Sequence, residues 1–359
     1  MKIVYLTKAN LAFSRSHVFN ILKTSEAIDK AIGERVVVVA SKSKTKGRLL
    51  SETEVLSKHG VDASHVRILE WGSEESLVAI KNSNVIYYRD FNLYFKVRKL
   101  KKEGKVVVLE VHRTARNFLE KILWPLNLKM ADIVITITNA LKNKLEKHNQ
   151  NIHTVFGNAY EPSLFDALRN KTKDEIRKQL SLPQNDVLIT YTGQTKNYQF
   201  YNVFESIKNL PVKIVLVGVT NREDLEKEAN EIGVFDKIIL VERVERTEVP
   251  AYIMASDVLF VPYVREEAGA FPVKIFEYMG SGRPIVSFVN EPIKEILKSG
   301  ENSLLLEPPT SDNWERALRK ILGEENFANA ISVKALEESK KYNWQKRGLD
   351  IVEIIKNHV

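Results

Sequence analysis

Apolar residues fall in short runs of Val, Ile and Leu at 2–6, 36–40, 66–69, 85–88, 106–111, 133–137 and 152–156. Runs this short, with little polar alternation, predict strands buried on both faces. Between most of them the spacing changes to that of helices. Over 17–32, for example, Val18, Ile21, Leu22, Ala27 and Ile28 form one apolar stripe, which predicts a helix lying on a core. From Val187 the pattern restarts, with strands predicted at 187–192, 212–218, 237–241 and 257–261 and a helix over 221–232. Strands alternating with helices predict parallel, doubly wound α/β sheets. Two such series predict two Rossmann-like domains, over 1–160 and 161–342. The tail 343–359 is amphipathic, with Trp344, Leu349, Ile351, Val352 and Ile355 as its apolar residues.

The densest chemistry lies in 266–288, EEAGAFPVKIFEYMGSGRPIVSF. Phe271 and Pro272 open a helix, Gly280, Gly282 and Pro284 close it, and Ile285 and Val286 begin a buried strand. At 100° per residue Ala270, Lys274, Glu277 and Ser281 share one face. Pro272, Ile275, Phe276 and Met279 lie opposite and are expected to pack on a sheet. A helix N-terminus just after Gly269 attracts phosphate, and Glu277, deeper along the face, can accept both hydroxyls of a ribose. A Lys–Glu surface pair on an ordinary amphipathic helix has the same spacing, so spacing alone leaves both readings open.

The segment FPVKIFEYMGSGRPIVSF resembles the signature of family 4 glycosyltransferases and their relatives of the GT-B fold. That resemblance implies two facing Rossmann-like, doubly wound parallel-sheet domains with a cleft between them. The first would be the acceptor side, the second would bind a nucleotide-sugar, and the helix 343–359 would pack back on the first. Glu277 matches the family's ribose-binding glutamate, while the glutamate expected eight positions earlier falls on Gly269. LEVHRT (109–114) resembles the family's E-x-H segment, whose histidine lies near the reacting sugar, and this marks His112. In TGQTKNY (192–198) the family expects an arginine and then a lysine on the donor diphosphate. Gln194 takes the arginine's place, and Lys196 is the candidate for stabilising the leaving group. ILVERVERTEV (239–249) matches the loop whose main chain meets the nucleotide base, near Val244. The resemblance thus implies a donor site of Gly193, Gln194, Lys196, Val244, Gly269, Ala270, Phe271, Pro272, Lys274 and Glu277, with His112, Lys196 and Glu277 catalytic. GNAYEPSLF (157–165) resembles the interdomain connector, and Asn158 and Phe165 match it. The first loop, KANLAFSRS, lacks the glycine pair common in the family.

A chain of 359 residues, 44% hydrophobic and 28% charged, has the composition of a soluble protein with room for two cores. The absence of cysteine excludes disulfides and thiolate metal sites. No stretch approaches a membrane span, and the apolar run at the N-terminus is too short for a signal peptide, so a cytoplasmic enzyme is expected. The nicotinamide fingerprint G-x-G-x-x-G does not follow the first strand, and no Asp-x-Asp metal motif occurs. Charge is uneven. Residues 1–150 hold 27 Lys and Arg against 15 Asp and Glu, a net +12, and residues 151–359 hold 27 against 31, a net −4. A basic half suits anionic lipid, a phosphorylated acceptor or nucleic acid, and a plain solvated surface has the same appearance. Two segments, 90–102 and 113–130, mix bases with aromatics. Either fits peripheral contact with the inner membrane face, through Phe118, Leu119, Ile122 and Trp124 in the second, or an ordinary sheet-covering helix. Nucleic acid explains nothing after residue 180 and is not expected as a partner.

The expected function is therefore that of a metal-independent, retaining glycosyltransferase of hexosyltransferase type. It would move a sugar from a nucleotide-diphospho-sugar, a substrate rather than a cofactor, to a glycan, lipid-linked or small-molecule acceptor. No cofactor is expected. A GT-B-fold sugar-nucleotide epimerase is the alternative, since the fold alone does not fix the reaction. A third reading is a non-catalytic nucleotide-sugar-binding partner that has lost turnover, which Gly269 and Gln194 would suit.

Overall fold

The structure, a computed structural model, describes residues 1–13, 16–45, 47–115, 117–157, 159–196, 198–264 and 274–359. Two compact units divide the chain, one of Met1–Asn158 with Trp344–Val359, the other of Ala159–Asn343. Strands of the first are β1 (Ile3–Asn10), β2 (Val36–Ser41), the short hairpin β3 (Lys44–Thr45) and β4 (Arg48–Leu49), β5 (Val66–Glu70), β6 (Val85–Tyr88), β7 (Val106–Val111), β8 (Ile133–Thr136) and β9 (Ile152–Thr154). Those of the second are β10 (Val187–Thr192), β11 (Tyr198–Gln199), β12 (Val212–Val217), β13 (Ile238–Val241), β14 (Val258–Val261), β15 (Tyr263–Val264), β16 (Ile285–Phe288) and β17 (Leu304–Leu306).

The first unit is a seven-stranded sheet in the order β5-β2-β1-β6-β7-β8-β9, and the second a six-stranded sheet in the order β13-β12-β10-β14-β16-β17. The pairings are parallel throughout both sheets. This is the doubly wound α/β architecture expected from the strand–helix alternation. Burial explains the continuous apolar runs. In β1, Ile3 and Tyr5 join one core while Val4 and Leu6 join another across the sheet, because successive side chains point to opposite faces. With helices covering both faces, both sets of positions are predominantly apolar.

Two expectations are corrected here. The helix read as amphipathic is described from Lys274 to Ser281, and all eight of its residues are buried. Its apolar side packs inward, with Phe276 4.9 Å from the Tyr342 ring. Its polar side is covered as well, so Lys274 and Glu277 are interior charges and not a surface pair. In the tail, Leu349 faces outward at 47% exposed, while Ile351, Val352 and Ile355 are buried. Phe165 of the connector is buried beside Tyr160, with ring centres 5.9 Å apart; Asn158 lies outside the described residues. Among the described residues no helix is long and apolar enough to cross a membrane.

The terminal helix Trp344–Lys356 lies on the helix Ser16–Ile32. Gly348 sets their separation, since a Cβ placed there would sit 2.1 Å from the Ala27 carbonyl oxygen. A backbone atom on one side and a helix axis on the other leave little room to relax. Gly348→Ala is expected to cost about 1–3 kcal/mol by overpacking, read as a lower urea midpoint in equilibrium unfolding. An unchanged midpoint would show that the helices separate freely.

Candidate functional site

In the second unit the strand order reverses beside β10: the chain moves one way to β12 and β13, then returns to β14 on the other side. In an open parallel sheet the loops leaving the carboxyl ends of strands diverge at such a point and form a crevice. Gly193 leaves β10 at φ +129° and Gly218 leaves β12 at φ +93°. The two turns are packed together, so that a Cβ on Gly218 would lie 3.0 Å from the Gly193 carbonyl oxygen. Side chains then fasten the first loop. The Thr220 N–H donates to Thr195 Oγ1 at 3.1 Å, the Thr195 hydroxyl donates to Asn221 Oδ1, and the Tyr191 hydroxyl donates to the Gln194 carbonyl at 2.8 Å.

Beneath this loop lies the Lys274 ammonium. It stands 3.9 Å from the centre of the Tyr191 ring and 4.3 Å from that of Tyr198. A Cβ on Gly193 would come within 3.1 Å of its Nζ, so the glycine leaves the ammonium's approach to the loop open. The Lys274 side chain is buried, and no described residue accepts a hydrogen bond from its Nζ. Burial holds its pKa well below the ordinary lysine value, against the attraction of Glu277. Aromatic faces recover on the order of 2 kcal/mol or more for a desolvated cation, less than an unpaired ammonium loses on leaving water. The deficit is what an anionic ligand would remove.

One turn along the helix, the buried Glu277 carboxylate accepts from Arg246 Nη2. Burial raises its carboxyl above the usual range, against the pull of Arg246 and Lys274. The next residue ties the helix to the strand, as the Thr192 N–H donates to Tyr278 Oη at 2.8 Å. A cation and a carboxylate are thus held at fixed spacing beside the end of β10.

Other sequence-predicted residues are placed less deeply. Gln194 and Lys196 are exposed, and the Lys196 backbone N–H donates to Thr220 Oγ1 at 3.2 Å. Val244 is half-buried in the loop after β13, two residues before Arg246. Gly269, Ala270, Phe271 and Pro272 lie outside the described residues. Reasoning from the sequence missed Arg246, Tyr191 and Tyr198. The arginines of ERVER were visible, but nothing local marked one of them as a partner for Glu277.

His112 belongs to the first unit and follows β7 directly. Its Nε2 bonds the Glu110 carboxylate. Burial and the Arg89 guanidinium lower its pKa to about 4, although Glu110 pulls the other way. At neutral pH the ring is therefore uncharged and suited to a hydrogen bond with a hydroxyl. Glu110 is buried, accepts also from the Tyr87 hydroxyl and from Arg347 Nη2 at 2.9 Å, and is held ionised below the usual carboxylate range by Arg347 and His112 despite its burial.

Two Rossmann-like units with parallel, doubly wound sheets are the architecture of the GT-B fold. Residues 172–338 match the family described as Glycosyl transferases group 1. D-inositol 3-phosphate glycosyltransferase of Xylanimonas cellulosilytica is 22% identical over 187 residues, which are 50% of this chain and 44% of that protein. The chain spans about half the length of the curated relatives it matches. Among solved structures, sucrose-phosphate synthase from Thermosynechococcus elongatus superposes with a TM-score of 0.80 at 15% identity, covering 99% of this chain and 98% of that one. HepE of Anabaena, solved in complex with UDP and glucose, superposes at 0.74 with 15% identity and 99% of each chain covered. These likenesses show the fold.

Binding of inorganic pyrophosphate should report on Lys274. An anion favours the charged ammonium, so affinity is expected to fall as pH rises through the lowered pKa of this lysine. Lys274→Arg, whose charge persists, should retain affinity at the upper end of that range. Calorimetric titrations of both proteins between pH 6 and 10 would test this, and parallel pH profiles would remove Lys274 from the anion site.

Proposed function

We propose that the chain is a metal-independent, retaining glycosyltransferase that transfers a hexosyl group from a nucleotide-diphospho-sugar to an acceptor hydroxyl. The observation that carries this reading is the buried, unpartnered ammonium of Lys274 beneath the Gly193 loop, one turn from the Glu277 carboxylate. A donor spanning the two would put its diphosphate on the ammonium and its ribose hydroxyls on the carboxylate. Diphosphate charge grows as the glycosidic bond breaks, and a preorganised cation stabilises it most in the transition state. Lys274 supplies that charge where Gln194 stands in place of the family's arginine, with the exposed Lys196 as a second, more mobile donor. His112 would accept a hydrogen bond from a donor-sugar hydroxyl. UDP in the related HepE structure agrees with a nucleoside diphosphate as the leaving group.

A panel of nucleotide-sugars assayed in EDTA would test this. Released nucleoside diphosphate with a glycosylated acceptor supports a transferase. A changed sugar still attached to its nucleotide would make the chain an epimerase, and binding alone would make it a module. Glu277→Ala should weaken nucleoside diphosphate binding about 10–100-fold, the equivalent of about 1.5–3 kcal/mol for a charged acceptor. Lys274→Met should lower kcat more than Lys196→Ala does; the reverse order would assign the leaving group to Lys196.

The acceptor side of this reading is a cytoplasmic enzyme working at an anionic lipid surface. The helix Phe118–Met130 leaves Phe118, at 79%, and Leu119, Ile122 and Leu126 exposed. The neighbouring helix Tyr94–Lys102 exposes Phe95 at 72% and carries five bases and no acid. Apolar residues ringed by cations suit anionic headgroups over acyl chains. Trp124, expected in this contact, instead turns inward against Phe91 and His148, and Arg113 is engaged by Glu120 at 2.6 and 2.7 Å. Flotation with phosphatidylglycerol vesicles at low salt is expected, reduced by Phe118→Ser with Ile122→Ser and reduced by high salt. Protein left in the soluble fraction at every salt concentration would favour a soluble acceptor.

A further inference from the structure

The Glu110 carboxylate joins three segments: β6, its own strand β7 and the terminal helix. It lies in β7, accepts from the Tyr87 hydroxyl of β6, and bonds His112 just beyond its own strand. The third contact comes from the terminal helix, where Arg347 donates through Nη2 at 2.9 Å. Arg347 is itself buried and donates from all three of its nitrogens. Its Nη1 donates to the carbonyls of Val155 at 3.1 Å and Phe156 at 2.8 Å, and its Nε lies 3.5 Å from Thr24 Oγ1. Gly348, the next residue, lets the helix approach closely enough for this reach.

An ionised carboxylate can only accept hydrogen bonds. The nitrogen of His112 that bonds Glu110 must therefore carry the proton, which leaves Nδ1 with the lone pair. No described residue bonds Nδ1. The charged groups that act on the ring are Arg89 from the loop after β6, Glu110 from β7 and Arg347 from the terminal helix; the hydroxyl of Tyr87 shares the carboxylate. Both cations oppose protonation of the ring, and Glu110 favours it.

We propose that Arg347 and Glu110 are positioning residues for His112: the terminal helix clamps the Glu110 carboxylate, which holds the imidazole proton on Nε2 and keeps Nδ1 as a hydrogen-bond acceptor. The inference rests on the reading of His112 as a group that meets the donor sugar. It makes the last helix part of the catalytic apparatus as well as a brace for the sheet. Without the guanidinium, Glu110 gains freedom to turn, and the ring loses a repelling cation.

The test uses the full chain labelled with ¹⁵N-histidine, with His112→Ala to assign the ring signals. In the unaltered protein His112 should show the Nε2–H tautomer and remain neutral at pH 6 to 8. Arg347→Met should raise the pKa of His112 and introduce a mixed tautomer. Its acid limb of kcat against pH should move upward, because the neutral ring is the working form and protonates sooner as pH falls. At pH 7.5 kcat should drop at least tenfold, with KM for the nucleotide-sugar changed less than threefold, since the nucleotide contacts lie in the other unit. Glu110→Gln, nearly isosteric, covers the case in which Arg347→Met fails to fold. It should also mix the tautomers, but it should lower the histidine pKa because the attracting carboxylate is gone. A purely structural clamp would lower thermal stability and leave tautomer, histidine pKa and acid limb alone. That outcome in both variants, or an Nδ1–H tautomer in the unaltered protein, overturns the proposal. The spectra decide it even if no sugar transfer is found, in which case the glycosyltransferase reading fails separately.

Discussion

Removing a charge from water costs several kcal/mol unless a partner or ligand replaces the lost solvation, and this constraint organises both units. Asp257 is held by Arg177 and Lys173 and accepts the Leu188 N–H at 2.7 Å, which fixes the start of β10. Glu110 takes the guanidinium of Arg347 from the far end of the chain, a separation of 237 residues. Glu277 takes Arg246. Lys274 differs: its ammonium has aromatic rings and the field of Glu277, but no described acceptor. Asp257, Glu110 and Glu277 each face a guanidinium, and that contrast gives the lysine functional weight.

The parallel topology explains where the exception falls. Loops at the carboxyl ends of β10, β12 and β13 gather on one edge of the sheet, so Gly193, Gly218 and Arg246 come together although β-strands and helices intervene. The helix beginning at Lys274 ends its side chains among them because Tyr278 bonds the Thr192 N–H. In the first unit the same rule puts His112 at the end of β7. Its chemistry is set from below, through Glu110, by a helix that is last in sequence and central in effect. The two units thus hold different kinds of group at their strand ends, ionic in one and a neutral imidazole in the other.

Strand–helix alternation was legible because it is local. Valine-rich runs and helical stripes need no knowledge of the rest of the chain, and they determined the two Rossmann-like sheets. The edge strand β17 and the ribbon of β11 and β15 were not anticipated, since three or two residues carry too little periodicity. The positions of His112, Lys274 and Glu277 could be picked out by residue type, spacing and resemblance. Their environments could not. The 274–281 helix reads as amphipathic by its own periodicity, yet covering elements bury its polar face. Trp124 turns inward while Phe118 stays exposed on the same helix. The partners Arg246 and Arg347 carry no local mark at all. Sequence by itself determined which elements form and which residues could act. Only the tertiary structure decided which charges lose their water and what replaces it, because that depends on contacts between segments far apart in the chain.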